Sequence, residues 1–322
     1  MTSDLTDTIP VWNNNASYFT LYALFSAPER RDDLLAALLY IPINLYPVLA
    51  NLIVIIAILY NKQLRWSTCY WIMLSLAVCD IVLPMIILCL NIPMIAFHHF
   101  YVAYGTDVNR IVTSAYTIIW YIEVMHLVAL ALNRFVNIVL DPYWYGIVFS
   151  HRNTVFVLLL VYALGIGFGA PTLWPCCYMF YDVDYYVVVY DPEDSWHQKL
   201  DSGVGITSLS LMGIFYTGIF IRIWKRRRSL SSFPPIKFNN LEREVASGNS
   251  ASIVSVGLRT VFLMSKMRAA APKKHDIHLF LQFLLLTFLF TLTWLAWMWL
   301  PYAEDLKWHY YWLSAIYSLL DA

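Results

Sequence analysis

Residues 131 to 146 read ALNRFVNIVLDPYWYG, and a single arginine, Arg134, stands where a long apolar run ends. A bare cation in hydrocarbon costs several kcal/mol, so this side chain must reach the membrane edge, find a partner or perform a task. Three carboxylates, Asp80, Glu123 and Asp321, are set within apolar stretches in the same way. They cannot all be ionised there unless a cation sits among them or protons neutralise them. Glu123 precedes Arg134 by about three helical turns on one face, roughly 16 Å nearer the other side of the membrane. Such groups suit ion or proton binding and conformational switching. No nucleophile and base pair, phosphate-binding loop or metal-ligand cluster accompanies them, so the sequence indicates no enzyme and no cofactor.

The elements that must position these residues follow from composition. Of 322 residues, 60 % are apolar and only 13 % charged, well outside the usual soluble mixture. Apolar stretches long enough to cross about 30 Å of hydrocarbon as helix occur near 34–60, 67–97, 109–133, 153–175, 202–224 and 277–301. A seventh begins near 308 and stops at Ala322, short of a full crossing, so the seventh helix is expected to be incomplete. The expected fold is all-α, a seven-transmembrane helix bundle over 34–322, preceded by a segment 1–33 and interrupted by a polar loop at 225–276. Proline at 42, 47, 84, 93 and 171 predicts kinks within or beside spans.

Orientation follows from basic residues. All but Arg30, Arg31, Arg110, Lys199 and Lys307 of the 21 Lys and Arg fall at the ends or joins of spans 1–2, 3–4 and 5–6. These joins are therefore cytoplasmic, and the amino terminus is outside. The acidic residues Asp182, Asp184, Asp191, Glu193, Asp194 and Asp201 crowd the loop between spans 4 and 5, on the outer face. Asn15-Ala16-Ser17 is a glycosylation sequon, meaningful only outside. Lys225-Arg226-Arg227-Arg228 closes span 5 as an anchor against anionic lipid, with a protein contact as an additional use. The net charge of zero says nothing about partners, and nucleic acid is not expected among them. No cleavable signal peptide is expected before residue 34. Cys69, Cys79 and Cys89 read as small packing residues.

Asn51 in LANLIVI, Asp80 in LSLAVCD and Asn133-Arg134-Phe135 occur in order at the right places in spans 1, 2 and 3. With seven helices and the amino terminus outside, the chain resembles the rhodopsin-like G-protein-coupled receptors over nearly its whole length. LNRF, CCYMFYDVDYYVVVYDPEDSW and WHYYWLSAIYSLLDA are similar to the nematode serpentine chemoreceptors, class x. There are departures. Asn133 replaces the usual aspartate, so a local ionic latch on Arg134 is absent. Val161 or Tyr162 stands near a usual tryptophan, and span 5 lacks its usual proline. Pro142 comes one residue late, predicting a bulge in the second cytoplasmic loop. No cysteine lies near the start of span 3, so no disulfide is assigned to Cys176 or Cys177.

The resemblance implies roles. Asn133, Arg134 and Phe135 would couple to a heterotrimeric G protein, with Arg134 released when helix 6 moves. Asp80 and Glu123 would approach each other, with Asn51 and Asp321 able to join, and hold either a shared sodium ion or protons. Tyr116 and Trp120, joined by Trp294 and Trp297 of helix 6, would line an apolar pocket for a small external molecule. No carboxylate is expected at that level, so no salt bridge to a ligand amine is foreseen. Met298-Trp299-Leu300-Pro301 mimics the helix-6 switch but lies near the outer end. The implied location is the plasma membrane, in sensory cilia if the closer resemblance holds. Two other readings stay open: a seven-helix transporter or ligand-gated channel subunit with the carboxylates as its ion path, and a truncated, non-functional receptor.

Overall fold

A computed structural model describes residues 28–97, 106–140, 142–191, 195–231, 284–285, 287–289, 291–293, 295–296 and 307–320. Asn15, Trp294, Trp297, residues 298–301, Asp321 and most of the 225–276 loop lie outside the described residues.

With no water to satisfy backbone groups in hydrocarbon, the apolar runs close their own hydrogen bonds as helices. Span 1 is the helix Pro28–Tyr60, with Pro42 and Pro47 inside it. Span 2 runs Thr68–Ile86, widens into a π turn at Ile87–Asn91 and resumes as Ile92–Phe97. Pro84 and Pro93 flank that turn, each removing an N–H from the ladder, so the expected kink takes the form of a register change. Span 3 is Asp107–Val139, capped by the Thr106 side chain, which accepts from the Asn109 N–H. The helix continues past Arg134 for more than a turn before Leu140 becomes extended. Arg134 is therefore inside a helix and not at its end.

Pro142 opens a short helix, Pro142–Val148, within the second cytoplasmic loop. Proline suits the first turn, where its missing N–H costs nothing. Span 4 is His151–Gly169, extended by a 3-10 turn, Ala170–Leu173. Spans 3 and 4 meet at small residues. A Cβ on Gly165 would lie 2.8 Å from the Ile122 Cα, and one on Gly169 would lie 2.7 Å from the Ile118 Cα. These glycines, four apart, let two backbones touch where no hydrophobic drive exists between helices in lipid. Span 5 is Trp196–Ser231 and span 7 contributes Lys307–Leu320. Five described helices are long and apolar enough to cross a membrane. Their exposed apolar side chains, Ile53, Phe156, Leu159 and Ile214 among them, are those that would meet acyl chains.

Between spans 4 and 5 an antiparallel hairpin, β1 Tyr178–Asp182 and β2 Val187–Asp191, roofs the outer end. Its buried Tyr181 and Tyr186 join Ala36, Tyr40, Ile92, Ile95 and Tyr311 in one cluster drawn from spans 1, 2 and 7. Tyr186 has φ 55°, the left-handed region, and its hydroxyl donates to the Asp33 carboxylate. Burial, reinforced by that carboxylate, pushes the Tyr186 phenol well above its usual range, so it remains a donor. Cys176 and Cys177, left unassigned by the sequence, are disulfide-bonded to each other. The hairpin is held to span 3 by Asn109, whose amide pairs with the Tyr181 backbone. Cys69 and Cys79 are buried packing residues as expected, but Cys89, in the π turn, is exposed.

Candidate functional site

Span 3 passes through three polar levels. At the inner level, Asn133 is fully buried, and neither its amide oxygen nor its nitrogen has a hydrogen-bond partner. Arg134, half-buried, lies within electrostatic reach of Cys69 in span 2 and Tyr216 in span 5. Tyr216 is buried and its hydroxyl shares a hydrogen bond with Thr287 of span 6. Spans 3, 5 and 6 therefore meet around one tyrosine that sequence reasoning did not single out. Phe135 faces span 5, its ring tilted against that of Phe215 with centroids 5.4 Å apart and closing over Gly218. The second cytoplasmic loop is tied to span 2 by Tyr145, whose hydroxyl is 3.3 Å from the Thr68 hydroxyl.

At the middle level, the Asp80 and Glu123 side chains are hydrogen-bonded to each other. Glu123 is buried. Two carboxyls this close are compatible with a shared proton or with a shared cation between them. Asn51, also buried, gives its amide to the Pro47 carbonyl of its own helix at 3.1 Å. Three residues, close to one helical turn, beyond Glu123, His126 is completely buried and links three spans. Its Nδ1 donates to the Ile122 carbonyl at 2.8 Å, which leaves Nε2 to accept from the Ser75 hydroxyl at 2.9 Å. Ser75 in turn meets the Tyr162 hydroxyl at 2.9 Å. Of the two residues at the usual tryptophan position, Tyr162 thus joins the polar chain and Val161 packs with Cys79, Ile122 and Ala129.

At the outer level, Tyr116 and Trp120 are both partly buried. Trp120 packs against the Val124 and Met212 cluster of spans 3 and 5, and its ring meets that of Tyr121 at 5.0 Å. Here the structure corrects the expectation that no carboxylate is present. Asp201 was grouped with the acidic loop, yet span 5 already begins at Trp196, and Asp201 turns inward. The Tyr121 hydroxyl donates to its Oδ1 at 3.0 Å and the Tyr190 hydroxyl to its Oδ2 at 3.2 Å. Burial, helped by the adjacent Asp201 charge, pushes the Tyr190 phenol upward and keeps it a donor. His197, completely buried, donates through Nε2 to the Phe168 carbonyl at 2.8 Å, and its Nδ1 has no hydrogen-bond partner. The available signal was Ser195, whose hydroxyl accepts from the His197 N–H and caps the helix before Asp201.

Buried polar groups are thus strung along span 3 from an aromatic cluster at the outer level to Arg134 at the inner end. No curated protein matches the chain. In structure it is similar to squid rhodopsin, with a TM-score of 0.59 and 13 % sequence identity, covering 92 % of this chain and 82 % of that one. At that identity the likeness concerns the fold. Residues 50–314 match the family described as 7 transmembrane receptor (rhodopsin family). The chain, a multi-pass membrane protein, belongs to the rhodopsin family of seven-transmembrane receptors.

Proposed function

We propose that this receptor binds a small external molecule between spans 3 and 5 beneath the hairpin and activates a cytoplasmic heterotrimeric G protein, without catalysis of its own. The supporting observation is the Tyr216 junction. A side chain that touches the neighbourhood of Arg134 and bonds to Thr287 makes the inner ends of spans 3, 5 and 6 one interdependent unit. Such a unit has two arrangements that a ligand can bias, provided it binds one better than the other. Chemosensory use at the plasma membrane, in the manner of the nematode serpentine receptors, is the narrower reading carried by LNRF and the acidic, aromatic outer loop.

Arg134→Ala tests the coupling. Nucleotide exchange on a co-expressed G protein is expected to fall by at least roughly tenfold, within the usual range of allosteric coupling. Surface level is expected to stay near wild type. Normal exchange from that variant would remove Arg134 from the coupling role.

A further inference from the structure

Asp201, the side chain whose place the sequence misassigned, is bonded by Tyr121 and Tyr190, and the Tyr121 ring packs in turn against Trp120, Phe168 and His197, the last also meeting Tyr190. Both carboxylate oxygens accept tyrosine hydroxyls, the hydrogen-bonding pattern of an ionised acid. Yet no Lys or Arg pairs with it among the described residues. Lys199 is exposed and lies two positions away, where helix geometry turns it to another face. Each carboxylate oxygen keeps a second lone pair. Beside it, the His197 Nδ1 is a buried ring nitrogen with no hydrogen-bond partner. Because Nε2 must donate to the Phe168 carbonyl, Nδ1 of the neutral ring is an acceptor. The site thus offers one negative charge and one unused acceptor beside aromatic rings, whose faces attract cations.

We propose that Asp201 and His197 form the anchor for a small ligand bearing a protonated amine, with its N–H groups shared between the carboxylate and Nδ1. This deepens the receptor reading above and rests on it. Tyr121 and Tyr190 fix the carboxylate in place before the ligand arrives, so little ordering remains to be done on binding. The other way to balance the charge is an imidazolium at His197. In that case Nδ1 carries a proton, the anchor is already neutral, and the amine has no advantage over an uncharged or acidic molecule of the same shape.

The test uses the purified full chain in lipid nanodiscs and three matched sets of probes: 2-phenylethylamine and tryptamine, their alcohol counterparts, and the corresponding aryl acetates. Thermal unfolding is followed at increasing probe concentration for wild type, Asp201→Asn and Asp201→Glu. Expected is stabilisation of the wild type by the amines, with the half-effective concentration raised roughly 10- to 100-fold by Asp201→Asn. Asp201→Glu retains the charge and should keep the preference for amine over alcohol, even if Asp201→Asn folds poorly. Alcohols or acetates acting as well as the amines, or no amine effect that depends on residue 201, would overturn the anchor. Nucleotide exchange on a co-reconstituted G protein is recorded in parallel. Amine binding that needs Asp201 but never alters exchange supports the anchor while removing the receptor reading. Exchange driven by the alcohols or acetates alone does the reverse.

Discussion

Asn109 makes a two-way pair with the backbone of Tyr181: its Nδ2 donates to the carbonyl at 3.1 Å and its Oδ1 accepts from the N–H at 2.8 Å. The two residues are 72 positions apart and both are buried. One amide does here what a covalent bridge from the start of span 3 would do, fastening the outer hairpin to the helix that carries the receptor's polar levels. Its Oδ1 also accepts from the Thr113 hydroxyl, so three hydrogen bonds fix the side chain, while its backbone N–H donates to the Thr106 cap.

Asn109→Ala is expected to strand two buried backbone groups at about 1–3 kcal/mol each, since the penalty for a lost partner exceeds the net worth of the bond. The readouts are a lowered unfolding midpoint and faster proteolysis between residues 178 and 191. Asn109→Asp keeps the acceptor and loses the donor, so it should fall between wild type and the alanine variant. An alanine variant equal to wild type in both assays would show that the hairpin is held by its tyrosines alone.

Close approach of spans 3 and 4 gives a paired prediction. Gly165→Ala puts a Cβ against the Ile122 backbone, which cannot swing aside, and is expected to destabilise by about 1–3 kcal/mol. Gly167→Ala, two residues on, meets nothing within 4 Å and should be neutral or slightly stabilising. Equal unfolding midpoints for the two variants would contradict the packing.

For the carboxyl pair, the competing chemistries are a shared proton and a shared sodium ion. Glu123→Gln preserves shape and can still donate to Asp80, so a proton-bridged pair should change little. If the pair holds sodium, the substitution removes a charge that attracts the ion. Basal and ligand-stimulated signalling should be measured across a sodium series with choline replacement at constant ionic strength. We expect sodium to suppress basal signalling in wild type and to lose that effect in Glu123→Gln. Sodium dependence untouched by the substitution would rule out the shared cation.

Orientation is checked directly. With an epitope after residue 1, intact cells should stain without permeabilisation, and Asn15→Gln should abolish any glycan-dependent shift in mobility. Staining that requires permeabilisation would put the basic joins outside and favour the channel reading.

The spans were legible because twenty apolar residues have few alternatives in a membrane protein, and helical periodicity alone aligned Glu123 with Arg134. The end of span 3 was not. NRFVN contains polar groups but no helix breaker, and the helix runs until the backbone extends at Leu140, just before Pro142. The outer site was hidden for a different reason. Asp201 meets Tyr121 from 80 residues away and Tyr190 from 11, the latter from a strand into a new helix, and no local period encodes such a meeting. An aspartate close to a run of other acids looks like a solvated charge until the helix start is known. Tyr216 was passed over similarly, as one aromatic among the 17 % that this chain carries.

At the tip of the roof, Tyr186 occupies a backbone conformation that glycine or asparagine would adopt more easily. Turn positions of this kind are ordinarily filled for the comfort of the main chain. This one is filled for the reach of its phenol, which spans from the hairpin to Asp33 and packs edge-on to Tyr311, ring centroids 6.0 Å apart. A substitution that relaxed the turn would therefore give up the roof's bond to Asp33 and its edge contact with Tyr311, and one that lengthened the anchor would still have to bear the strained turn. Ease of folding and tightness of closure are set against each other at a single residue.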